Sequence, residues 1–428
     1  MMDDFARFNV KRYEKVLRDG TKLVLYQKLE SPIYIRALFN SGSRFNPPGK
    51  EGLAHFLEHM VVAGSKAFPT KDKLAIYIES RGGEFGAYTG VDTLGINVTV
   101  AEASDLPYAI TTLKEILLEG LFDPNTVETE RGSILKEIGD NESNPFSYLH
   151  ELWSSLIFKN YVSGRSVLGS RETVSSITHD ELLDYYDCAF TPKRCVYVAC
   201  GDISIDELES AFNNNLTLKK GAYPITESLP QKQTESSTAF KFYEGNQTHM
   251  ILGFETVKAF DKDEIPLGVI GEIIGGGRAA SLTRKLRYEK GLVYGVSAGF
   301  SGYTDAGDFG VKTSTDGKNL QEVVDVIAKE LERVGSGNLT QEEVDFAKTR
   351  LVKSAKIRLQ TSRSWVDFHA YGELLADGGI FRLNDWLDAV NKLTFDDINK
   401  VGVKYFKPGI LKMALCGSID PSKITINH

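Results

Sequence analysis

This sequence predicts an α+β protein of two homologous domains, each about 200 residues long and built as a mostly antiparallel sheet with helices packed on it. Three features predict it. Strand-like apolar runs alternate with amphipathic helical patterns in both halves, and the strands follow one another in a hairpin-like order. The end of the first half recurs at a constant offset of 216 residues, where Thr178, Asp180, Phe190, Pro192, Cys200 and Gly201 meet Thr394, Asp396, Phe406, Pro408, Cys416 and Gly417 without an insertion. A polar run containing Ser, Thr, Gln and Pro lies between the halves. The domains are therefore read as 1–215, a linker at 216–237, and a homologous C-terminal domain at 238–428.

In chain order, an Asp19-Gly20 turn leads into strands over Lys22–Gln27 and Ile33–Phe39, joined through Leu29-Glu30-Ser31-Pro32. A helix containing His55 and His59 follows, then one over Lys71–Ser80 that stops at Gly82-Gly83. Leu94–Val100 alternates as a strand with one buried face. Helices are expected over Leu106–Glu119, over Thr126–Asp140 just after Asp123-Pro124, and over Phe146–Phe158. The capping box Thr178-His179-Asp180-Glu181 opens another helix, and Cys195–Cys200 is a strand. The second half repeats the order, with strands near Lys241–Tyr243 and Met250–Phe254 and a helix at Ile265–Ile274 that has no histidine. Gly275-Gly276-Gly277 is read as a flexible loop, because no Lys-Ser/Thr follows as a phosphate loop requires. One long helical stretch is expected from the capping box Thr340-Gln341-Glu342-Glu343 towards Leu375.

Composition narrows the partners. The chain has 428 residues, 42% of them hydrophobic, and a formal charge of -8, an ordinary globular balance that argues against nucleic acid as a partner. Cys188, Cys195, Cys200 and Cys416 sit in apolar or strand-like company without a C-x-x-C spacing, so buried free thiols in a reducing compartment are expected. No apolar run approaches 18 residues and the first residues lack a secretory pattern, so the expectation is a cytoplasmic protein with no membrane segment.

The chemistry concentrates in Leu53-Ala54-His55-Phe56-Leu57-Glu58-His59-Met60. Two histidines four apart on a helix project from one face, so both imidazoles reach a single ion, with Glu58 beside them. H-x-x-E-H is the inverzincin spacing. The competing reading makes His55 and His59 ordinary polar positions of an amphipathic helix. A catalytic zinc site needs three protein ligands and an open position. Glu130 and Glu137, seven apart and two turns along one helix face, are candidates: one to bind the ion and the other to support the site from behind. Zinc is inferred from ligand type, and other divalent ions suit the same groups.

These residues carry a resemblance. His55-Phe56-Leu57-Glu58-His59-Met60, with Glu130-Arg131 and Lys136-Glu137-Ile138 downstream, resembles the pitrilysin-type M16 zinc peptidases, in the short two-domain form of the bacterial members and the mitochondrial processing peptidase beta subunit. The resemblance implies His55, His59 and Glu137 as zinc ligands, Glu58 as the general base and Glu130 as the assisting glutamate. It extends further along the chain. Gly164-Arg165 with Leu168-Gly169 is similar to the family's loop after the zinc helices, and 287–294 resembles its C-terminal substrate-binding segment, which pairs Arg287 with Tyr294. Where the family usually has Asn-Ala on the strand that receives substrate, this chain has Gly86-Ala87. The main chain of that strand can still pair with a peptide.

The resemblance implies a zinc metalloendopeptidase that hydrolyses unfolded or short peptides in an enclosed chamber, completed by a homodimer or by a heterodimer with a homologous subunit. No cofactor besides zinc is implied. The alternative is a non-catalytic, peptide-binding scaffold subunit of such a complex. An intact H-x-x-E-H with both glutamates weighs against it, because a scaffold has no need of an ion site.

Overall fold

The computed structural model describes residues 3–5, 8–219, 221, 238–407 and 409–426. Most of the predicted linker, residues 220 and 222–237, and Pro408 of the repeat lie outside the described residues. Contacts divide the chain into two compact units: Met1–Ile138 with Ser166–Ser228 and Lys356–Asn384, and Gly139–Arg165 with Leu229–Ala355 and Asp385–His428. Segments 139–165 and 356–384 thus belong to units other than those a linear division at 216–237 assigns them.

In the first unit, β1 (Asp3–Phe5), β2 (Val10–Val16), β3 (Lys22–Lys28), β4 (Ile33–Phe39), β5 (Glu84–Thr89), β6 (Leu94–Val100) and β7 (Cys195–Gly201) form one sheet in the order β1-β2-β3-β7-β4-β6-β5. All neighbours are antiparallel except β3 and β7. The second unit holds β8 (Thr238–Phe242), β9 (Gln247–Thr256), β10 (Val293–Gly302), β11 (Gly307–Asp316) and β12 (Lys412–Gly417) in the order β10-β11-β9-β12-β8, antiparallel except for β12 and β8. Strand for strand, β3-β7-β4-β6-β5 matches β8-β12-β9-β11-β10, the parallel pair included. The 216-residue repeat is the end of this shared pattern: Thr178 and Thr394 each cap a helix that leads to a strand of the parallel pair, β7 or β12.

Helices α1 (Leu53–Ala63), α2 (Lys71–Glu79), α3 (Leu106–Leu118) and α4 (Pro124–Ser143) follow the predicted places closely. Asp123 starts α4 by accepting the backbone N–H of Asn125 and Thr126 through Oδ1. The first core gathers Leu25, Ile35, Phe39, Phe56, Leu57, Ile96 and Ile110, each fully buried and each contributing about 1.5–3 kcal/mol relative to exposure.

The predicted single helix after Thr340 is two helices, Gln341–Arg358 and Ser362–Leu375. Thr361 breaks it by accepting from Ser364 N, a capping arrangement inside what reads as continuous helical sequence. The second of these helices packs in the first unit against β7, β4 and β3, and every residue of β4 and β7 is buried. Its buried imidazole, His369, stacks on Tyr26 with centroids 4.3 Å apart, donates from Nδ1 to Trp365 O and accepts from Leu383 N. Burial keeps that ring neutral, with its pKa pushed down to about 4.

In the second unit, α5 (Pro145–Ile157) lies on β12, β9 and β8, with Leu149, Trp153 and Leu156 against Ile251 and Ala414. All four cysteines are buried, and none is in a disulfide. Among the described residues no helix is long and apolar enough to cross a membrane.

Candidate active site

The site begins with how α1 is fixed. Gly52 precedes the helix at φ +97°, and an added Cβ would lie 2.7 Å from Leu168 O; at Gly169, φ +77°, it would lie 2.2 Å from Glu51 O. Two glycines therefore let the 168–169 loop close on the start of α1 where side chains would not fit. Asn46 Oδ1 accepts the Ala54 N–H at 2.9 Å, filling the role of the missing cap side chain. Phe56, Leu57, Met60 and Val61 then bury one side of α1 and leave His55, Glu58 and His59 on the other.

Helix α4 brings the glutamates. Val127, Ile134 and Ile138 are its buried positions, and Glu130 and Glu137 flank Ile134 on the same side. Arg131 fastens this helix beside α1, with its guanidinium 5.1 Å from the centre of the Phe56 ring and Nη1 donating to Val174 O.

The imidazoles of His55 and His59 meet edge to face at 4.8 Å. His55 Nε2 and His59 Nε2 stand 3.6 and 3.5 Å from the same oxygen, Glu137 Oε2. The other nitrogen of His59, Nδ1, is 2.9 Å from Glu130 Oε2. If Nδ1 donates its proton there, the Nε2 lone pair is left facing Glu137.

These spacings fit an ion. One atom from each of His55, His59 and Glu137 lies within 4.8 Å of the others. Bonds of about 2.0–2.1 Å at tetrahedral angles separate ligand atoms by about 3.4 Å, close to the two distances at Glu137. Two imidazoles and one carboxylate with a side open to solvent match the donor set of a hydrolytic zinc centre. Glu137 is 47% exposed and His55 is 8% exposed, so the triad spans from the interior to the surface.

The two histidines respond oppositely to these surroundings. Burial, with His59 nearby, pushes His55 towards its neutral form against the pull of Glu137. Burial alone would do the same to His59, but its hydrogen bonds to Glu130 and Glu137 outweigh it and raise its pKa. Hydrogen bonding to His59 holds both glutamates below the usual carboxylate range. Glu58 stands apart from the converging donors, and burial raises its pKa, opposed by Thr89 and His59 beside it.

Thr89 is the residue that the sequence reading missed. It is the last residue of β5, two beyond Ala87, and period-two alternation puts both on one face of the strand. Gly86 and Ala87 lie on β5 at the edge of the sheet, paired among the described residues to β6 on one side only. A Cβ at Gly86 would meet nothing within 4 Å.

Arg287 and Tyr294 belong to the second unit. Arg287 lies in the helical turn Thr283–Glu289 and Tyr294 is the second residue of β10. The guanidinium is 4.9 Å from the centre of the Tyr294 ring, which is 87% exposed. The structure thus brings His55, His59, Glu58, Glu130 and Glu137 together in one unit and pairs Arg287 with Tyr294 in the other.

Comparison with known proteins agrees in both halves. Residues 24–171 match the family described as insulinase (peptidase family M16), and residues 176–351 match the peptidase M16 inactive domain. An uncharacterized zinc protease of Streptomyces coelicolor is 28% identical over 84% of this chain and 79% of its own length. One from Bacillus subtilis is 27% identical over 93% and 96%. Among solved structures, a protease from Helicobacter pylori superposes with a TM-score of 0.86 at 18% identity, covering 96% of this chain and all of that one. The peptidase M16 inactive domain from Pseudomonas fluorescens gives 0.83 at 18% identity, over 95% and 98%. Sequence matches in both halves, and the doubled fold that these structures share, make this chain a member of peptidase family M16.

Proposed function

We propose that this protein is a zinc metalloendopeptidase acting on unfolded or short peptides. The observation that carries the reading is the convergence of His55 Nε2, His59 Nε2 and Glu137 Oε2, with Glu58 on the next step of the same helix. His55, His59 and Glu137 would hold the zinc, and Glu130 fixes the His59 ring through Nδ1. Zinc there supplies Lewis acidity towards the scissile carbonyl and the attacking water. Glu58 takes the proton of that water and returns it to the leaving amine. Thr89, whose hydroxyl donates to Ala54 O, lies beside Glu58 and favours its charged form. Arg287 and Tyr294 act in this reading as substrate-contacting donors. Assembly as a homodimer, or with a homologous second subunit, is part of the same proposal and rests on the resemblance.

The substrate class follows from β5. Its edge, unpaired among the described residues, pairs with extended backbone, of which an unfolded chain offers far more than a folded protein. A reduced and alkylated protein is therefore expected to be cut at least about tenfold faster than its native form; equal rates would contradict the reading.

The same edge gives a gain-of-function test. Gly86→Asn adds an amide into open space on that strand, where one further hydrogen bond to peptide is expected to lower KM about 3- to 10-fold with little change in kcat. Steady-state kinetics on one peptide check it, and an unchanged or raised KM counts against β5 as the receiving strand.

A further inference from the structure

The second unit carries a basic cluster that the peptidase reading leaves unused. Strands β9 and β11 and helix α5 bring together Phe146, His150, His249, Lys312 and Ser314. His249 faces Ser314 across the strands, while Lys312 lies between Ile251 on β9 and Ser297 on β10. Ile251 packs against α5, so by strand alternation these side chains share the α5 face of the sheet. Lys312 Nζ donates to His150 Nε2 and sits 3.7 Å from the centre of the Phe146 ring. Ser314 Oγ is 2.7 Å from His249 Nδ1, and both imidazoles lie 6.0 Å from the Phe146 ring.

Among the described residues Lys312 has no carboxylate partner, and the acidic groups nearby are engaged elsewhere. Asp308, on the same face of β11, is buried and accepts from Trp153 Nε1. Asp316 pairs with Lys318, Glu151 of α5 accepts from Asn141, and Glu255 of β9 accepts from Tyr161. Burial lowers the Lys312 pKa with nothing opposing it, and burial together with Lys312 lowers those of both histidines.

The chemistry of such a cluster is anion binding. An ammonium has three N–H donors, and His150 and the Phe146 ring occupy only part of them. His150, accepting at Nε2, carries its own proton on Nδ1 as a further donor. A metal cation does not suit the place, because the ammonium repels it and already uses the His150 lone pair. The neighbouring strand leaves room: Ser297 is exposed, and a Cβ on Gly299 would meet nothing within 4 Å. That open shelf along β10 suits an extended chain better than a compact oxyanion.

We propose that Lys312, with His150 and His249 beside it, binds a carboxylate of a peptide on this face of the second unit. The proposal rests on the peptidase reading only for the ligand being a peptide. Fluorescence anisotropy on the full-length Glu58→Gln protein, chosen to prevent turnover, compares two labelled peptides that differ only in Glu or Gln at alternate positions. The Glu peptide is expected to bind about tenfold more tightly, and millimolar inorganic phosphate to compete weakly. Lys312→Met should remove the preference by weakening the Glu peptide alone, and Lys312→Arg should keep it, with unchanged near-ultraviolet circular dichroism showing that both variants fold. Equal binding of the two peptides, a preference that survives in Lys312→Met, or phosphate binding at Lys312 without any peptide preference would each overturn the proposal. Failure of the unsubstituted protein to cleave any peptide would remove the peptidase reading instead, and would leave this comparison readable.

Discussion

Glu58→Gln is expected to lower kcat for peptide cleavage by about 10²–10⁴-fold while KM and bound metal stay close to those of the unsubstituted protein. Glu58 is outside the group of atoms that converge on a cation, so the metal site should survive the change. The amide is nearly isosteric, but it cannot accept a proton from water. Burial raises the Glu58 pKa towards the working range of a general base, while Thr89 and His59 oppose that rise. Retention of more than a few per cent of the activity would refute the assignment. Loss of metal together with activity would mean that Glu58 is a structural part of the site.

The largest stability effect is expected far from this chemistry, at Glu373. Its side chain is fully buried and receives Arg12 Nε and Nη2 at 2.7 and 2.9 Å, Lys22 Nζ at 2.7 Å and Tyr26 OH at 2.8 Å. Glu373→Ala leaves Arg12, only 3% exposed, as a buried charge without its main partner, which typically costs about 3–5 kcal/mol. The melting transition of the first unit should fall by about 10 °C. Replacing both Arg12 and Glu373 by leucine should recover part of the loss, because the uncompensated charge is then gone. A change below about 1 kcal/mol would show that the network does not hold the helix Ser362–Leu375 to its sheet.

The same carboxylate sets an acid limit. Burial alone would raise its pKa, but hydrogen bonds and charge from Arg12 and Lys22 bring it down from 4.5 to about 2. A depressed carboxyl adds stability that is fully present above its unfolded pKa and lost as pH falls through the folded one. Denaturation measured between about pH 5 and pH 2 should therefore show a steeper loss in the unsubstituted protein than in Glu373→Ala.

Local features were legible in the sequence because they are made by neighbours. The spacing of His55 and His59, the Thr178 and Thr394 caps, and the alternation of Leu94–Val100 depend on residues a few positions apart. Features made by distant residues were not. A helical pattern says that Trp365 and His369 lie on a buried face, but not that this face covers β4 and β7, which lie far back in the sequence. The break at Thr361 was hidden because a weak Thr-x-x-Ser cap competes with strong helix formers on either side. Thr89 gives no signal of its own until β5 is seen beside α1. The cluster around Lys312 joins residues from α5, β9 and β11 that only the sheet register brings together.

The central claim is that His55, His59 and Glu137 hold a metal ion on which hydrolysis depends. Elemental analysis of the purified protein, paired with cleavage of a quenched peptide library before chelation, after chelation and after zinc is restored, tests it most directly. About one zinc per chain is expected, with cleavage lost to the chelator and recovered with zinc. Absence of a bound divalent metal, or cleavage that persists undiminished after chelation, would contradict it.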